Sequence, residues 1–181
     1  MPLEIMSDEE LKKLISNNQK GPDPWKGTVY ENLRDLHNKR KGEFGEILAA
    51  NTAIRKGFTV KPATGLGHDR IFNGLKTEIK FSQATQNKEK VHTDNKFVIN
   101  HLGLHKDWER FVFIGLNTDC SLVILHFTKR NAKNVVKDYF KPQQGGKAGK
   151  NDDYMCSISP TKLIKMQQDS RINTLLDPNN W

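Results

Sequence analysis

Apolar and polar positions alternate with period two in one short stretch of this chain. Residues 75–81 read Leu75, Lys76, Thr77, Glu78, Ile79, Lys80, Phe81. Side chains of a strand point to opposite faces in turn. One face therefore carries Leu75, Thr77, Ile79 and Phe81, and the other Lys76, Glu78 and Lys80. Residues 69–72 form a second strand-like piece, and Asn73-Gly74 between the two is a strong two-residue hairpin signal. Apolar runs at 110–116 and 122–127 suit buried strands. Residues 58–60 suit a short one, and 154–158 an edge strand.

Helical spacing occupies the rest. Ser7 followed by Glu10 reads as a capping box opening a helix through about residue 17. Gly21-Pro22-Asp23-Pro24 breaks it. Val29, Leu33 and Leu36 give helical periodicity over 28–39. Lys41-Gly42 punctuates, and a further helix runs over 43–56, closed by Gly57 at a C-cap position. A helix is expected over 129–139, and Pro160 opens the last one at its first position. Polar segments over 83–96 and 141–153 read as long loops. The order of elements predicts an α/β domain with a mixed central β-sheet flanked by helices.

Length and charge add to this picture. The 181 residues fit one domain, and the net charge of +8 favours an anionic partner, nucleic acid being the commonest. Cys120 and Cys156 form no CxxC pair, which argues against a disulfide framework or structural zinc. No apolar stretch resembles a signal peptide or a membrane span, so a cytoplasmic protein is expected.

The chemistry centres on Glu78 and Lys80. Acid-x-Lys also occurs at Glu10-Leu11-Lys12 and Asp94-Asn95-Lys96, so the tripeptide alone carries nothing. The context of Glu78-Ile79-Lys80 is different. Hairpin pairing across Asn73-Gly74 brings Asp69 near Glu78, and two adjacent carboxylates need a cation to offset their repulsion. A hard ion such as Mg²⁺ accepts that donor set. Lys80, on the same face, can hold or deprotonate an attacking water and offset charge on a phosphate. Upstream, Glu46 heads a stripe with Ala49, Ala50 and Ala53, small residues that let a helix lie close to a sheet. Glu46, and less so Glu43, joins the site or merely complements the helix macrodipole.

Lys41-Gly42-x3-Glu46, then Gly57-Phe58-Thr59-Val60, then Asp69, then Glu78-Ile79-Lys80 resembles the PD-(D/E)XK nuclease superfamily over residues 41–81, and loosely to about 127. His68 stands where that family often has proline. The resemblance implies a restriction-endonuclease-like core and Mg²⁺-dependent phosphodiester hydrolysis. It makes Asp69 and Glu78 metal ligands with Ile79 in the metal site, Lys80 the catalytic lysine, and Glu46 the helix glutamate of some branches. The opening looks like archaeal-type Holliday-junction resolvases; the remainder is more similar to a small type II restriction endonuclease acting on double-stranded DNA. A junction resolvase, a repair nickase and a non-catalytic nucleic-acid-binding protein are the competing readings.

Base edges and phosphates are contacted by Asn, Gln, Lys, Arg and Ser. Candidates for DNA contact are Lys41, Arg70, Ser82, Gln83, Lys88, Lys90, His92, Asn95, Asn100 and His101. Lys147 and Lys150 clamp backbone phosphate, or their loop has no fixed structure. Residues 1–40 form the expected N-terminal helical region, 41–128 the catalytic core, and 129–181 a C-terminal helix, basic loop and edge elements. Cleavage of palindromes by twofold dimers makes a homodimer the expectation, with residues 7–39 as its interface.

Overall fold

Asn73 (φ 47°) and Gly74 (φ 85°) both adopt left-handed backbone, as a type I′ turn requires. In the computed structural model, which describes residues 23–84, 96–143 and 153–181, they join β2 (Arg70–Phe72) to β3 (Leu75–Gln83). Phe72 lies opposite Leu75, and Arg70 opposite Thr77. β3 is the middle strand of a five-stranded sheet that also contains β1 (Val60–Pro62), β5 (Arg110–Leu116) and β6 (Leu122–Thr128), in the order β1-β2-β3-β5-β6. The β3–β5 pair is parallel and the other pairs are antiparallel, so the sheet is mixed. A parallel pair needs a crossover connection. Here it contains β4 (Phe97–Gly103), which leaves the sheet and pairs elsewhere.

Helix α1 (Asn38–Arg55) covers one face. Ala49 and Ala53 are fully buried against Phe72, Ile79, Val112 and Ile114. The closest approach is made by Gly45, where an added Cβ would stand 2.1 Å from Phe81 Cβ. Gly45→Ala is expected to destabilise the fold by about 1–3 kcal/mol through overpacking. Gly42→Ala, with nothing within 4 Å of its Cβ position, gains helix propensity of up to about 1 kcal/mol. Denaturant unfolding of the two variants checks the contrast; equal midpoints would refute the close contact.

The opposite face is covered by α2 (Lys129–Tyr139) and a three-stranded sheet of order β4-β8-β7, with β7 at Lys141–Pro142 and β8 at Asp153–Ile158. Phe97, Ile99 and Leu102 meet Phe111, Phe113, Leu125, Phe127 and Val135 there in the larger core. Thr128 and Ser159 cap α2 and α3 (Pro160–Gln168) through side-chain oxygens that accept from Asn131 N and Lys162 N. Among the described residues no helix is long and apolar enough to cross a membrane.

Four expectations change. The helix expected over 28–39 is not formed by residues 28–37, which make turns and a 3-10 turn at Leu33–Asp35, while 38–39 begin α1. Asp23 accepts from the backbone N–H groups of Trp25 and Asn32, Asn32 is left-handed, and Val29 is 90% exposed while Leu33 is buried, so the periodic positions share no buried face. Consequently Lys41-Gly42 lies inside α1, which His37 caps by accepting from Lys39 N. The polar segment expected over 83–96 is followed by a strand that the pattern did not predict, β4, disguised by a bulge between Ile99 and Leu102 where His101 takes φ 54°. Finally, β8 is the middle strand of its sheet and not an edge strand. The helix expected from Ser7 lies outside the described residues.

Candidate active site

Period-two alternation leaves Glu78 and Lys80 on the β3 face away from α1. That face is not solvated at Glu78, whose side chain is 2% exposed beside Lys80 at 21%. Glu78 aligns with Phe111 and Lys80 with Phe113 on β5, so the acid sits at the border of the larger core. A buried carboxylate is costly unless paired. Glu78 Oε1 accepts from Lys80 Nζ at 2.6 Å and from Lys106 Nζ at 3.4 Å.

Asp69, the residue before β2, reaches the same place. Its N–H donates to Thr77 O at 2.9 Å, and its Oδ2 accepts from Ile79 N at 2.6 Å. Burial, then the neighbouring Glu78, holds the Asp69 carboxyl above the ordinary aspartate range. Glu46, from the third turn of α1, joins this cluster. Burial and then Asp69 raise its carboxyl, and Arg70 Nη1 pairs with its Oε2 at 3.0 Å. The fold thus brings together Asp69, Glu78, Lys80 and Glu46.

Mg²⁺ is the ion implied by the family resemblance, and these residues fit it. Asp69 and Glu78 offer hard oxygen donors. Asp69 is held above its usual range by burial and then by Glu78, a repulsion that a bound cation would offset. Ile79 has a buried apolar side chain, and its N–H is spent on Asp69; only its carbonyl oxygen is a possible ligand. Among the described residues no three or more His, Cys, Asp or Glu side chains form a ready cage. Mg²⁺ needs none, because it binds through one or two carboxylates and keeps several waters.

Lys106 was not legible beforehand. It is separated from Glu78 by 28 positions, and no spacing rule connects them. It arrives because β5 runs parallel to β3, which returns the chain just before Arg110 beside Thr77.

The residues expected to contact DNA divide. Lys41 Nζ donates to Arg34 O at 2.8 Å and ties α1 to the preceding turn. Arg70 is engaged by Glu46. Ser82 Oγ accepts from Val98 N at 3.0 Å, joining β3 to β4. Gln83 ends β3, with its Oε1 buried and unpartnered. Asn100 and His101 are exposed on the β4 bulge, where His101 N donates to Gln143 Oε1 at 2.8 Å. Lys88, Lys90, His92, Asn95, Lys147 and Lys150 lie outside the described residues. His68 is buried, and its Nε2 accepts from Thr64 N at 3.4 Å, which holds the turn ahead of Asp69.

No family profile matches the chain, and no curated protein matches it significantly. Among solved structures the chain is similar to the bacterial homing endonuclease I-Ssp6803I. Identity is 16% over 65% of this chain and 86% of that one, with a TM-score of 0.38.

Proposed function

We propose that this protein is a Mg²⁺-dependent endonuclease that hydrolyses phosphodiester bonds of double-stranded DNA at specific sequences, as a type II restriction enzyme does. One observation carries this reading: Asp69 and Glu78 converge on a buried strand with the Lys80 ammonium 2.6 Å from Glu78. Asp69 and Glu78, with the Ile79 carbonyl, would hold the ion. When bound, Mg²⁺ supplies Lewis-acid polarisation of the phosphate and lowers the pKa of a bound water.

The chain's own groups do the remainder. Lys80 donates to the attacking water and orients it toward phosphorus. The water oxygen forms the new P–O bond, its proton passes to solvent, and the ester P–O bond opposite breaks as the leaving oxygen takes up a proton. Lys80 also offsets the charge that builds on the phosphate oxygens. Glu46 adds negative charge beside Asp69 and holds Arg70. Exposed Asn100 and His101 are suited to base edges, and the net charge of +8 to the backbone. A homodimer matches cleavage of a twofold site.

The test is digestion of long duplex DNA with Mg²⁺. Discrete bands are the expected result. Cleavage confined to branched or nicked DNA would keep the chemistry and assign a junction or repair nuclease instead. Absence of cleavage on every DNA substrate would sink the enzyme reading and leave a binding protein.

A further inference from the structure

Glu78 Oε1 accepts from two ammonium groups, and the second is the more exposed. Lys106 stands 3.4 Å away with its side chain 32% exposed, whereas Lys80 is closer and 21% exposed. A divalent ion that takes this oxygen repels both lysines, and the longer, wetter contact yields first.

The backbone beneath Lys106 is fixed, however. Lys129 Nζ donates to Leu104 O at 2.6 Å and to Lys106 O at 2.8 Å. The same ammonium lies 4.0 Å from the centre of the Trp108 ring, and Trp108 Nε1 donates to Gly103 O at 2.9 Å. Burial holds Lys129 below the ordinary lysine range, a cost that the two carbonyl bonds and the ring offset. On the other side Asp107 is occupied by Lys76 at 2.6 Å, so its carboxylate does not compete for Lys106. The result is an ammonium held by one long, partly exposed contact on an anchored turn beside Glu78.

Resting on the metal-assisted reading above, we propose that Lys106 is a second phosphate-binding cation of this site. It occupies Glu78 in the metal-free protein and moves to the substrate phosphate when a divalent ion enters. Lys129 is its positioning residue.

Calorimetric titration with Mn²⁺ alone, without DNA, reads the first half; steady-state cleavage with Mg²⁺ reads the second. Lys106→Met is expected to bind Mn²⁺ about threefold tighter, the scale of a partly exposed ion pair, yet to cleave about 10–100-fold more slowly in kcat. Lys106→Arg, which keeps the charge, restores most of the rate. Opposite signs in metal affinity and turnover are not what loss of folding produces. Lys129→Met is expected to lower kcat as Lys106→Met does, and the double variant to be no slower than either single one. Additive losses would overturn the positioning role of Lys129. Wild-type cleavage with Lys106→Met unchanged in both measurements, or with weaker Mn²⁺ binding, overturns the role of Lys106 alone. A wild-type protein that neither binds Mn²⁺ nor cleaves DNA overturns both this role and the nuclease reading.

Discussion

Lys80→Met is expected to lower Mg²⁺-supported DNA cleavage by about 10²–10³-fold, the usual loss when one preorganised donor is removed from developing charge. Binding to DNA in Ca²⁺ should fall far less. Affinity for a polyanion is a sum over many phosphate contacts, of which one lysine is a small part. The variant also leaves Glu78, buried and 2% exposed, with Lys106 as its remaining cation at 3.4 Å. Some stability is lost with it, so unfolding must be measured beside activity. Lys80→Arg separates the two effects. A guanidinium restores a cation for Glu78, but its planar fork does not replace a compact ammonium that must orient one water. The arginine variant should recover stability and remain slow. Cleavage by Lys80→Met at the wild-type rate would remove Lys80 from the mechanism.

Asp69→Asn should abolish cleavage and, in metal-free buffer at neutral pH, raise the unfolding temperature. The sign follows from the direction of the Asp69 shift. Its folded carboxyl lies above the ordinary value because of burial and Glu78. The folded state therefore holds the proton more tightly than the unfolded chain. Stability from this group is fully present below the unfolded pKa and declines as pH rises through the folded pKa. At neutral pH the charge is a net cost, the reverse of a salt-bridged aspartate.

Asparagine removes that charge and still offers an oxygen to Ile79 N, which the aspartate engages at 2.6 Å. Mg²⁺ should raise the melting temperature of the wild type through preferential binding to the folded state and leave Asp69→Asn unmoved. Because proton and ion compete for this carboxylate, the same shift predicts that Mg²⁺ binding to the wild type weakens on the acid side at a pH above the ordinary aspartate range. Thermal unfolding with and without Mg²⁺, together with digestion, checks all three. A variant that still cleaves, or is still stabilised by Mg²⁺, would refute Asp69 as a ligand.

These expectations show which parts of the site local pattern makes legible. Asn73-Gly74 encodes its own turn, because two left-handed residues in sequence favour one hairpin geometry, and the turn fixes the register that returns Asp69 to Glu78. Alternation in β3 places Glu78 and Lys80 side by side. Gly57 (φ 91°) follows the end of α1, Pro160 opens α3, and the helix at Lys129–Tyr139 has the bounds expected of it. Each depends on backbone preferences or side-chain period within a few residues.

Segments whose pattern is overridden by distant contacts read less well. The spacing of Val29, Leu33 and Leu36 suits a helix, yet Trp25 is buried and its Nε1 donates to Asn117 O at 2.9 Å. Asp23 closes the turn locally, and the helix starts later. β4 is hidden because one bulge breaks its alternation at His101. Ala49 and Ala53 of the α1 stripe are buried and Ala50 is half-buried, but Gly45 makes the closest contact, which depends on where Phe81 lies across the interface.

From sequence alone, then, came the acid pair, its lysine, the turn that assembles them and the α/β order of elements, all determined by short-range geometry. Tertiary structure decided that Glu78 is buried, that Arg70 pairs with Glu46, and that Lys106 shares the Glu78 oxygen. Those follow from the parallel pairing of β3 with β5 and the packing of α1 on the sheet. Such contacts join residues tens of positions apart, and no local propensity or spacing encodes them.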